Sequence, residues 1–580
     1  MSRSRLLIEA RHRAQQILGS LRAALGHTTL HDLVVLAAFF GGAHGLLLLD
    51  YAPRWDGWLI YHRIQDRDWP VLFAAFRALG IPAFAYLHYL VGQLPYFLFW
   101  FKFTTFLSLL TATLITYHLL GDFPAAIGRA DRLLLCMLLA TFPANLVHIE
   151  LIMMPFAVCY ACFFVAAAVY RRSIRSEGTP RILTRLLALG LFYFSFMMQS
   201  LLVFYAVFLL YAIVSWPGRA DRAGARLIAF LKRHADFIAL PLLYWGVRAV
   251  WFRPFGEYEG YNAFQHRLAS VVGDWALALY GGLVVPLARS VHEIRQLPAV
   301  ALVVLAAVLL LRPLWASAQW ERQGRLVMLG FGLVCVGLLP YVVVGKYPAP
   351  SDPWVSRFAY LVPPGAAFLV YGSLKWYLSF IGAPRYVIMT AASLVVAGFA
   401  TADVANYLTF GIDALKQEAI VLRFRDQKEI AAAATVVVED SAEWLSAYHR
   451  QVRLYEYTGM LKQAFGDERR LGIQDSQYHT RAYMDVVSRF YGKPTWLLSE
   501  YDGRGPLVRV RLRSDAVTWN LRQLYLKAVY LRLRGRSEER NALLRPLISI
   551  QVLPPEASPS GRSSSAASAP QSTSAVRRRP

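Results

Sequence analysis

Long apolar segments recur between Leu33 and Ala402, and they limit the kinds of fold open to this chain. A helix that crosses the hydrocarbon core of a bilayer needs roughly 18 to 20 apolar residues. The segments that reach or approach that length most clearly are Leu33–Leu49, Tyr96–Leu120, Leu151–Val169, Phe237–Phe252, Ala299–Leu311, Leu326–Val344 and Tyr386–Ala402. Hydrophobic residues make up 56% of the chain, which is typical of a multispanning protein. We therefore predict an all-α polytopic membrane domain over residues 30–402.

The lengths of the segments and the charges between them predict about eleven crossings with the N-terminus inside. Leu183–Trp216 is too long for one crossing at about 1.5 Å per residue, so we divide it near Gln199 and Ser200. Val271–Leu287 is open to two interpretations, because it is apolar but contains Asp274 and a Gly-Gly-Leu-Val-Val-Pro break. A re-entrant or interfacial segment keeps the following basic loop inside. We therefore predict no crossing there and a C-terminal region on the outer side.

Positive charge is concentrated between the apolar segments. The formal net charge is +24, and Arg and Lys cluster in Arg171–Arg185 and Arg219–Arg233. Such clusters mark the cytoplasmic loops of membrane proteins and suit anionic headgroups, so we favour this interpretation over nucleic-acid binding. Residues 1–29 are predicted to form a basic cytoplasmic amphipathic segment. The expected location is the inner membrane of a bacterium, with membrane lipids as partners.

The composition changes after Ala402. Residues 403–553 have ordinary polarity and predict a small soluble α/β domain on the periplasmic side. Thr435–Asp440 and Leu507–Ser514 are predicted strands, and Trp519–Arg534 is a predicted helix. Asp440, at a strand end, is a candidate ligand for which a capping or turn role is the alternative. Residues 554–580 are rich in Ser, Pro and Ala, which predicts a disordered tail.

The first predicted outer loop, which follows Leu49, has its own local pattern. Trp55, Trp58, Leu59 and His62 recur at i, i+3, i+4 and i+7 spacing. This spacing predicts a short helix that lies flat in the membrane interface.

Carboxylates in the predicted outer loops are the first candidates for chemistry. Asp50 and Asp56 follow the first apolar segment, and Glu150 lies in the second outer loop. A carboxylate at the lipid boundary can act as a general base on a hydroxyl. It can also hold a divalent cation that neutralises a phosphate leaving group. The alternatives are a helix N-cap for Asp56 and a structural pairing of Glu150 with His148.

Two basic residues lie between late apolar segments, Lys346 and Arg357. Arg binds phosphate in a bidentate manner, and a lipid-linked sugar presents phosphate at this depth. The alternative for Arg357 is a side chain that reaches the lipid headgroups, which is common at membrane ends. The sequence contains no Walker loop, HExxH or GxSxG motif.

The loop residues together resemble the GT-C superfamily of integral-membrane glycosyltransferases. The pattern consists of Asp50 and Asp56, a Gly80-Ile-Pro82-x-x-x-Tyr86-Leu entry, Glu150, and Pro340-Tyr341-x-x-x-Gly-Lys346…Trp354-x-x-Arg357-x-x-Tyr360-x-x-Pro363-Pro364. The resemblance implies a fold over Leu33–Ala402 and a polyprenyl-phosphate sugar donor used at the outer face. It implies a general base or metal-linked carboxylate at Asp56, helped by Asp50, and a second acid at Glu150. It also implies phosphate contacts at Lys346 or Arg357.

Three functional hypotheses follow from these residues. The first is an enzyme that transfers sugar from a polyprenyl-phosphate donor to a cell-envelope glycan or lipid. The second is a lipid or polysaccharide transporter or flippase, which predicts inverted repeats with matching broken helices. The chain shows one such break, near Gly281 and Gly282, and no matching half. The third is a non-catalytic envelope-assembly protein whose outer domain binds partners.

Overall fold

The computed structural model describes residues 30–123, 127–175, 178–216, 223–263, 268–310, 323–349, 352–516 and 519–554. The described chain is mostly helical and contains one small sheet. This confirms a helical membrane class with a small α/β portion. Residues 1–29 and 555–580 lie outside the described residues, so the amphipathic N-terminal segment and the disordered tail remain predictions.

Helices occupy most of the chain up to Asp426. They are α1 Leu30–His44, α2 Gly57–Gln65, α3 Trp69–Ala78, α4 Pro82–Gly92, α5 Phe97–Leu120, α6 Arg129–Thr141, α7 Met154–Arg175, α8 Gly178–Ser195, α9 Ser200–Ser215, α10 Ala223–Arg233, α11 Ala235–Trp251, α12 Leu268–Leu279, α13 Val285–Gln296, α14 Pro298–Leu310, α15 Gln323–Val342, α16 Pro363–Phe380 and α17 Arg385–Asp426. The break between α8 and α9 confirms the division predicted near Gln199.

Some of these helices are long and apolar enough to cross a bilayer. Among the described residues there are five such segments: Leu30–Leu49, Phe97–Leu120, Leu151–Ile174, Gly324–Val342 and Tyr386–Asp426. Each overlaps an apolar segment identified in the sequence, and together they make this a helical membrane protein. The count of about eleven crossings remains a prediction.

Helix α17 is 42 residues long, or about 63 Å at 1.5 Å per residue. It continues well past Ala402, where the composition changes. Polar residues in its second half, including Asp413 and Lys416, are fully buried. Asp413 and Lys416 each have an oppositely charged partner, so the helix continues although its sequence is no longer uniformly apolar.

The C-terminal region carries the sheet and shorter helices. They are α18 Lys428–Ala432, β1 Thr435–Asp440, α19 Leu454–Phe465, β2 Leu471–Gln474, α20 Asp475–Tyr478, α21 Arg481–Val487, β3 Leu507–Arg513, α22 Leu521–Leu533, α23 Ser537–Leu544 and β4 Ser549–Leu553. The strand order is β2-β1-β3-β4. Strand β1 runs parallel to β2 and β3, whereas β4 is antiparallel to β3. The predicted strands β1 and β3 and the predicted helix α22 are confirmed.

Asp440, at the end of β1, has a structural role. Its carboxylate accepts bonds from Lys416 Nζ at 2.6 Å and the Tyr457 hydroxyl at 3.1 Å. It also accepts the backbone N–H of Ala442 at 3.0 Å. The turn role is therefore the one observed, and α17 supplies the counter-ion.

Helix α2 confirms the short helix predicted in the first loop, but its aromatic face contacts protein. Trp58 and His62 are each 2% exposed, and His62 Nε2 lies 2.8 Å from the Gly459 carbonyl oxygen of α19. A Cβ on Gly459 would lie 2.7 Å from the Trp58 ring, so glycine is required for this approach. Contacts with α19 therefore account for this face, and the location of the helix in the membrane interface remains a prediction.

The glycines of the Val271–Leu287 segment allow a second close approach. The segment contains a π-helical turn, Tyr280–Val284, between α12 and α13. A Cβ on Gly281 would lie 2.0 Å from the Pro348 carbonyl oxygen. The glycine therefore permits the loop after α15 to pack on this turn. Whether the segment crosses the membrane remains a prediction.

Candidate active site

The loops that carry the candidate residues meet at one end of the helical bundle. The loop after α1 contacts the loop after α15 through Trp55 and Trp354, whose rings stack with centroids 5.1 Å apart. It contacts the loop before α7 through Glu150 and Arg54. It also contacts α17 through Asp413. The candidate residues thus belong to one layer between the bundle and the C-terminal region.

Within this layer, Asp50 and Glu150 both bind Arg54. The Arg54 Nη2 lies 2.7 Å from Asp50 Oδ1, and Arg54 Nη1 lies 3.4 Å from Glu150 Oε1. The Arg54 Nε donates to Asp413 Oδ2 at 3.0 Å. Arg54 itself is completely buried. The alternative role for Glu150 was a pairing with His148. In the structure, Glu150 is paired with Arg54 instead.

Further charges extend this buried network. Lys102 Nζ lies 2.7 Å from Asp50 Oδ2. Arg450 bridges Asp413 at 2.9 Å and Glu456 at 2.8 Å. Three cations, Arg54, Lys102 and Arg450, therefore face four carboxylates. All seven side chains are buried, so we call this group the Arg54 network.

Burial and counter-ions set the protonation of two members of this network. Burial alone would raise the pKa of Asp50, but Arg54 and Lys102 outweigh it and hold the pKa below its usual value. For Glu150, burial outweighs the same two cations and raises the pKa to about 7. Both carboxylates are occupied in holding Arg54 away from solvent, so the geometry gives them a positioning role. A catalytic role for Asp50 and Glu150 stays a prediction.

Asp56 belongs to a different and more open group. It precedes α2, but its side chain makes no capping hydrogen bond, and the residue is partly exposed. Burial raises the pKa of its carboxyl group, while Arg357, Arg453 and the Tyr455 hydroxyl favour the charged form. Asp56 thus faces two guanidinium groups and a phenol.

Arg357 contributes a guanidinium group with one unpaired nitrogen among the described residues. It lies over the Trp354 ring, with Cζ 3.9 Å from the ring centroid. Its Nη1 is buried and has no hydrogen-bond partner among the described residues. Burial lowers the pKa of Arg357. An unsatisfied buried guanidinium nitrogen is costly, and an anionic ligand would satisfy it.

Lys346 lies in the same loop and, within the described part of the chain, donates to two neutral acceptors. Its Nζ donates to Asn262 Oδ1 at 2.7 Å and to the Tyr261 carbonyl oxygen at 3.2 Å. Burial, and then Arg357, lower the pKa of Lys346 to about 8. The positive charge of Arg357 is close enough to contribute to the lowered pKa of Lys346. The structure therefore brings together three predicted site residues, Asp56, Arg357 and Lys346.

Arg453 is a further basic residue next to Asp56, and it was not predicted from the sequence. It begins α19 and pairs with Asp352, with Nη2 and Oδ2 3.2 Å apart. We call Asp56, Lys346, Arg357, Arg453 and Tyr455 the Asp56 site. Arg453 and Tyr455 could not be found from local pattern, because only the packing of α19 against the first loop brings them there.

The charges of the Asp56 site favour an anion over a protein-held divalent cation. Among the residues the structure describes, no three His, Cys, Asp or Glu side chains are grouped to hold a metal ion. The charges that act most strongly on Asp56 are those of Arg357 and Arg453, and the Glu456 carboxylate has a smaller, opposite effect. The site therefore fits a ligand that brings negative charge, and a divalent cation stays a prediction.

Comparison with known proteins adds no relative to this picture. No family model, no curated protein and no solved structure matches the chain. The fold is that of a helical membrane protein, and it places an aspartate among basic side chains at one end of the bundle.

Proposed function

We propose that this protein is a membrane glycosyltransferase that moves a sugar from a polyprenyl-phosphate donor to a cell-envelope glycan or lipid. The observation that carries the proposal is the meeting of Asp56 with Arg357 and Arg453 at the end of apolar helices, with Lys346 on the far side of Arg357. A base beside several cations suits a reaction in which a hydroxyl attacks and a phosphate leaves. The resemblance to GT-C enzymes supports the same reaction.

The roles follow from the chemistry of transfer. The acceptor hydroxyl oxygen forms a bond to the anomeric carbon, and the bond from that carbon to the phosphate oxygen breaks. The hydroxyl proton goes to Asp56, and the electron pair of the broken bond leaves with the polyprenyl phosphate. A pKa above the usual aspartate value makes Asp56 a better base.

The cations stabilise the charge that develops on the departing phosphate. The free Nη1 of Arg357 can donate to a phosphate oxygen, and the Trp354 ring fixes the plane of the guanidinium. Lys346 adds a second positive charge. Donors placed before the reaction give the largest stabilisation, because they need no reorganisation.

The positions of basic loops support an outer location for this site. Helices α5 and α7 lie beside each other. The site lies near the first residues of both helices, since Glu150 directly precedes α7. The basic residues from Arg171 onward begin in the last turn of α7, at its opposite end. Positive loops favour the cytoplasm, so the Asp56 site belongs on the outer face of the bacterial inner membrane.

The test uses cells and purified protein together. Envelope glycans and glycolipids would be compared by mass spectrometry in a deletion strain carrying wild type, Asp56→Asn or the control Asp485→Asn, with matched expression. Asp485 is exposed and distant from the site in the sequence. We expect one sugar modification to vanish in the deletion and in Asp56→Asn, and to persist in the control. Normal modification in Asp56→Asn would exclude Asp56 as the base.

A binding experiment tests the phosphate role separately. The full protein in lipid nanodiscs would be incubated with polyprenyl phosphate or polyprenol and examined by native mass spectrometry. We expect Arg357→Gln to reduce binding of the phosphate by about tenfold or more, the scale of one lost charged hydrogen bond. Arg77→Gln, a change at an exposed arginine of α3, should leave binding unchanged. Equal binding of polyprenol would contradict a phosphate site.

A further inference from the structure

A small cavity with several polar groups in a mainly apolar wall lies among the helices of the bundle, apart from the Asp56 site. It has a volume of about 60 Å³. Its polar lining comes from His44 of α1, Asn145 and His148 of the loop before α7, Tyr360, and Asp403 of α17. Apolar side chains of α5 and α6 complete the wall. Ionisable residues at membrane depth are costly, and they commonly mark functional sites.

Among the described residues, two polar atoms that face this cavity have no hydrogen-bond partner. Asp403 is 3% exposed and its Oδ2 makes no hydrogen bond, while Tyr360 is 5% exposed and its hydroxyl makes none. The closest charge-bearing neighbour of Asp403 Oδ2 is His44 Nε2 at 3.7 Å. A buried carboxylate without a hydrogen bond is unfavourable unless it holds a proton or faces a cation.

Next to Asp403, two histidines and a tyrosine form a continuous chain. His44 Nε2 lies 2.9 Å from the Ala140 carbonyl oxygen, and His44 Nδ1 lies 2.7 Å from the Tyr407 hydroxyl. His148 Nε2 contacts the same hydroxyl. His148 Nδ1 lies 2.8 Å from the Asn145 carbonyl oxygen. Both ends of the chain are carbonyl oxygens, which only accept.

This chain has one hydrogen fewer than its contacts require. Four contacts need four hydrogens, whereas a neutral His44, a neutral His148 and Tyr407 supply one each. The carbonyl oxygens fix a hydrogen on His44 Nε2 and on His148 Nδ1. The remaining ring nitrogens then both compete for the single hydrogen of Tyr407. A fourth hydrogen is available from the carboxyl group of Asp403.

We propose that Asp403, His44, Tyr407 and His148 together bind one exchangeable proton and form a proton-binding site within the bundle. With the proton on Asp403, all four groups are neutral and one contact of the chain is unmade. With the proton in the chain, one histidine is an imidazolium, all four contacts are made, and the Asp403 carboxylate is the counter-ion. Both arrangements have the same net charge. Burial favours the neutral one, and the completed hydrogen bonds and the attraction between the two charges oppose that preference.

The other titratable groups around the chain do not supply this proton. Lys102 of α5 is paired with Asp50, with Nζ and Oδ2 2.7 Å apart. Tyr160 of α7 and Tyr360 pack against each other at the cavity, with ring centroids 5.4 Å apart. Tyr448 donates its hydrogen to Asn406 Oδ1 at 2.8 Å. Asp403 is thus the proton donor that the geometry offers.

Nitrogen-15 NMR of the full protein in nanodiscs, with labelled histidine, tests the proposal. The rings of His44 and His148 would be assigned with His44→Gln and His148→Gln. We expect a resonance pair of imidazolium character for one of these rings near neutral pH, lost in the isosteric Asp403→Asn. Tyr407→Phe, which interrupts the chain, should also remove it. Tyr360→Phe removes the other unpartnered hydroxyl of the cavity and should leave both histidine spectra unchanged.

The outcomes decide the proposal in either direction. Loss of the imidazolium signal in both Asp403→Asn and Tyr407→Phe, with wild-type spectra in Tyr360→Phe, supports a shared proton. Two neutral rings with fixed tautomers in the wild type, unaffected by Asp403→Asn, would overturn it. Elution volume and tryptophan fluorescence of each variant show whether the fold is kept. The result is independent of glycosyl transfer, since none of these residues belongs to the Asp56 site.

Discussion

Trp55 of the first loop stacks on Trp354 of the loop after α15, with ring centroids 5.1 Å apart and ring planes 27° from parallel. Each ring also carries a guanidinium. Arg450 lies over Trp55, with Cζ 4.6 Å from the centroid, and Arg357 lies over Trp354 at 3.9 Å. The four side chains connect the buried Arg54 network to the Asp56 site. Trp55 adopts a φ of 44°, which is unfavourable for an L-residue and is compensated by this packing.

The stack should therefore both stabilise the fold and hold Arg357 in place. Trp354→Leu should lower the melting temperature and weaken polyprenyl-phosphate binding, whereas Trp354→Phe should preserve most of both. A double-mutant cycle of Trp354→Leu and Trp55→Leu should give a coupling in the unfolding free energy of about 0.5–1.5 kcal/mol, the range for aromatic pairs. Strictly additive effects of the two substitutions on the unfolding free energy would show that the rings do not interact.

Two neighbouring aspartates should respond in opposite ways to the same substitution. Asp50→Asn removes a counter-ion of buried Arg54 and Lys102, which should cost about 3–5 kcal/mol. Asp56→Asn should leave the protein equally or more stable, because the fold disfavours the charged carboxylate. Thermal unfolding in detergent gives the stabilities, and glycolipid mass spectrometry gives the activity. A stable, active Asp50→Asn would contradict the Arg54 network.

The sequence could predict the elements whose signals are local. The apolar segments, the break near Gln199 and strand Thr435–Asp440 all follow from periodicity and composition, and the structure has them. Loop position was also enough to select Asp56, Arg357 and Lys346, which the fold then brings together. These residues precede or follow apolar segments whose ends meet, so their proximity needed no detailed packing information.

Other features depend on contacts between distant parts of the chain. Arg54 is paired with Asp413, 359 residues away, and no local pattern links them. Helix α17 passes Ala402 because such partners neutralise its buried charges, so a change of composition did not coincide with the end of the helix. Helical spacing shows that Trp58 and His62 share a face of α2, but it does not show that α19 covers that face.

The pKa of Glu150 predicts how stability depends on pH. Burial raises it from 4.5 to about 7, so the folded protein binds this proton more tightly than the unfolded chain does. The tighter proton binding stabilises the folded protein. This stabilisation is fully present below about pH 4.5 and is lost progressively as the pH rises to about 7. Unfolding midpoints of wild type and Glu150→Gln would be compared between pH 4.5 and 8. We expect the wild type to lose stability relative to the variant across this interval. A constant difference between the two would exclude titration of Glu150 in the Arg54 network.

Lys346 predicts a second pH effect, on ligand binding rather than on stability. Its pKa is lowered to about 8 by burial and by Arg357, so the free site loses this positive charge as the pH rises above 8. Polyprenyl-phosphate binding by the wild type should therefore weaken by about tenfold at most between pH 7.5 and 9.5, the equivalent of one charge contact. Lys346→Arg keeps its charge throughout this range and should bind with little pH dependence. Above pH 7.5 the lipid phosphate is already ionised, so a decline of the same size in Lys346→Arg would assign the effect to a group other than Lys346.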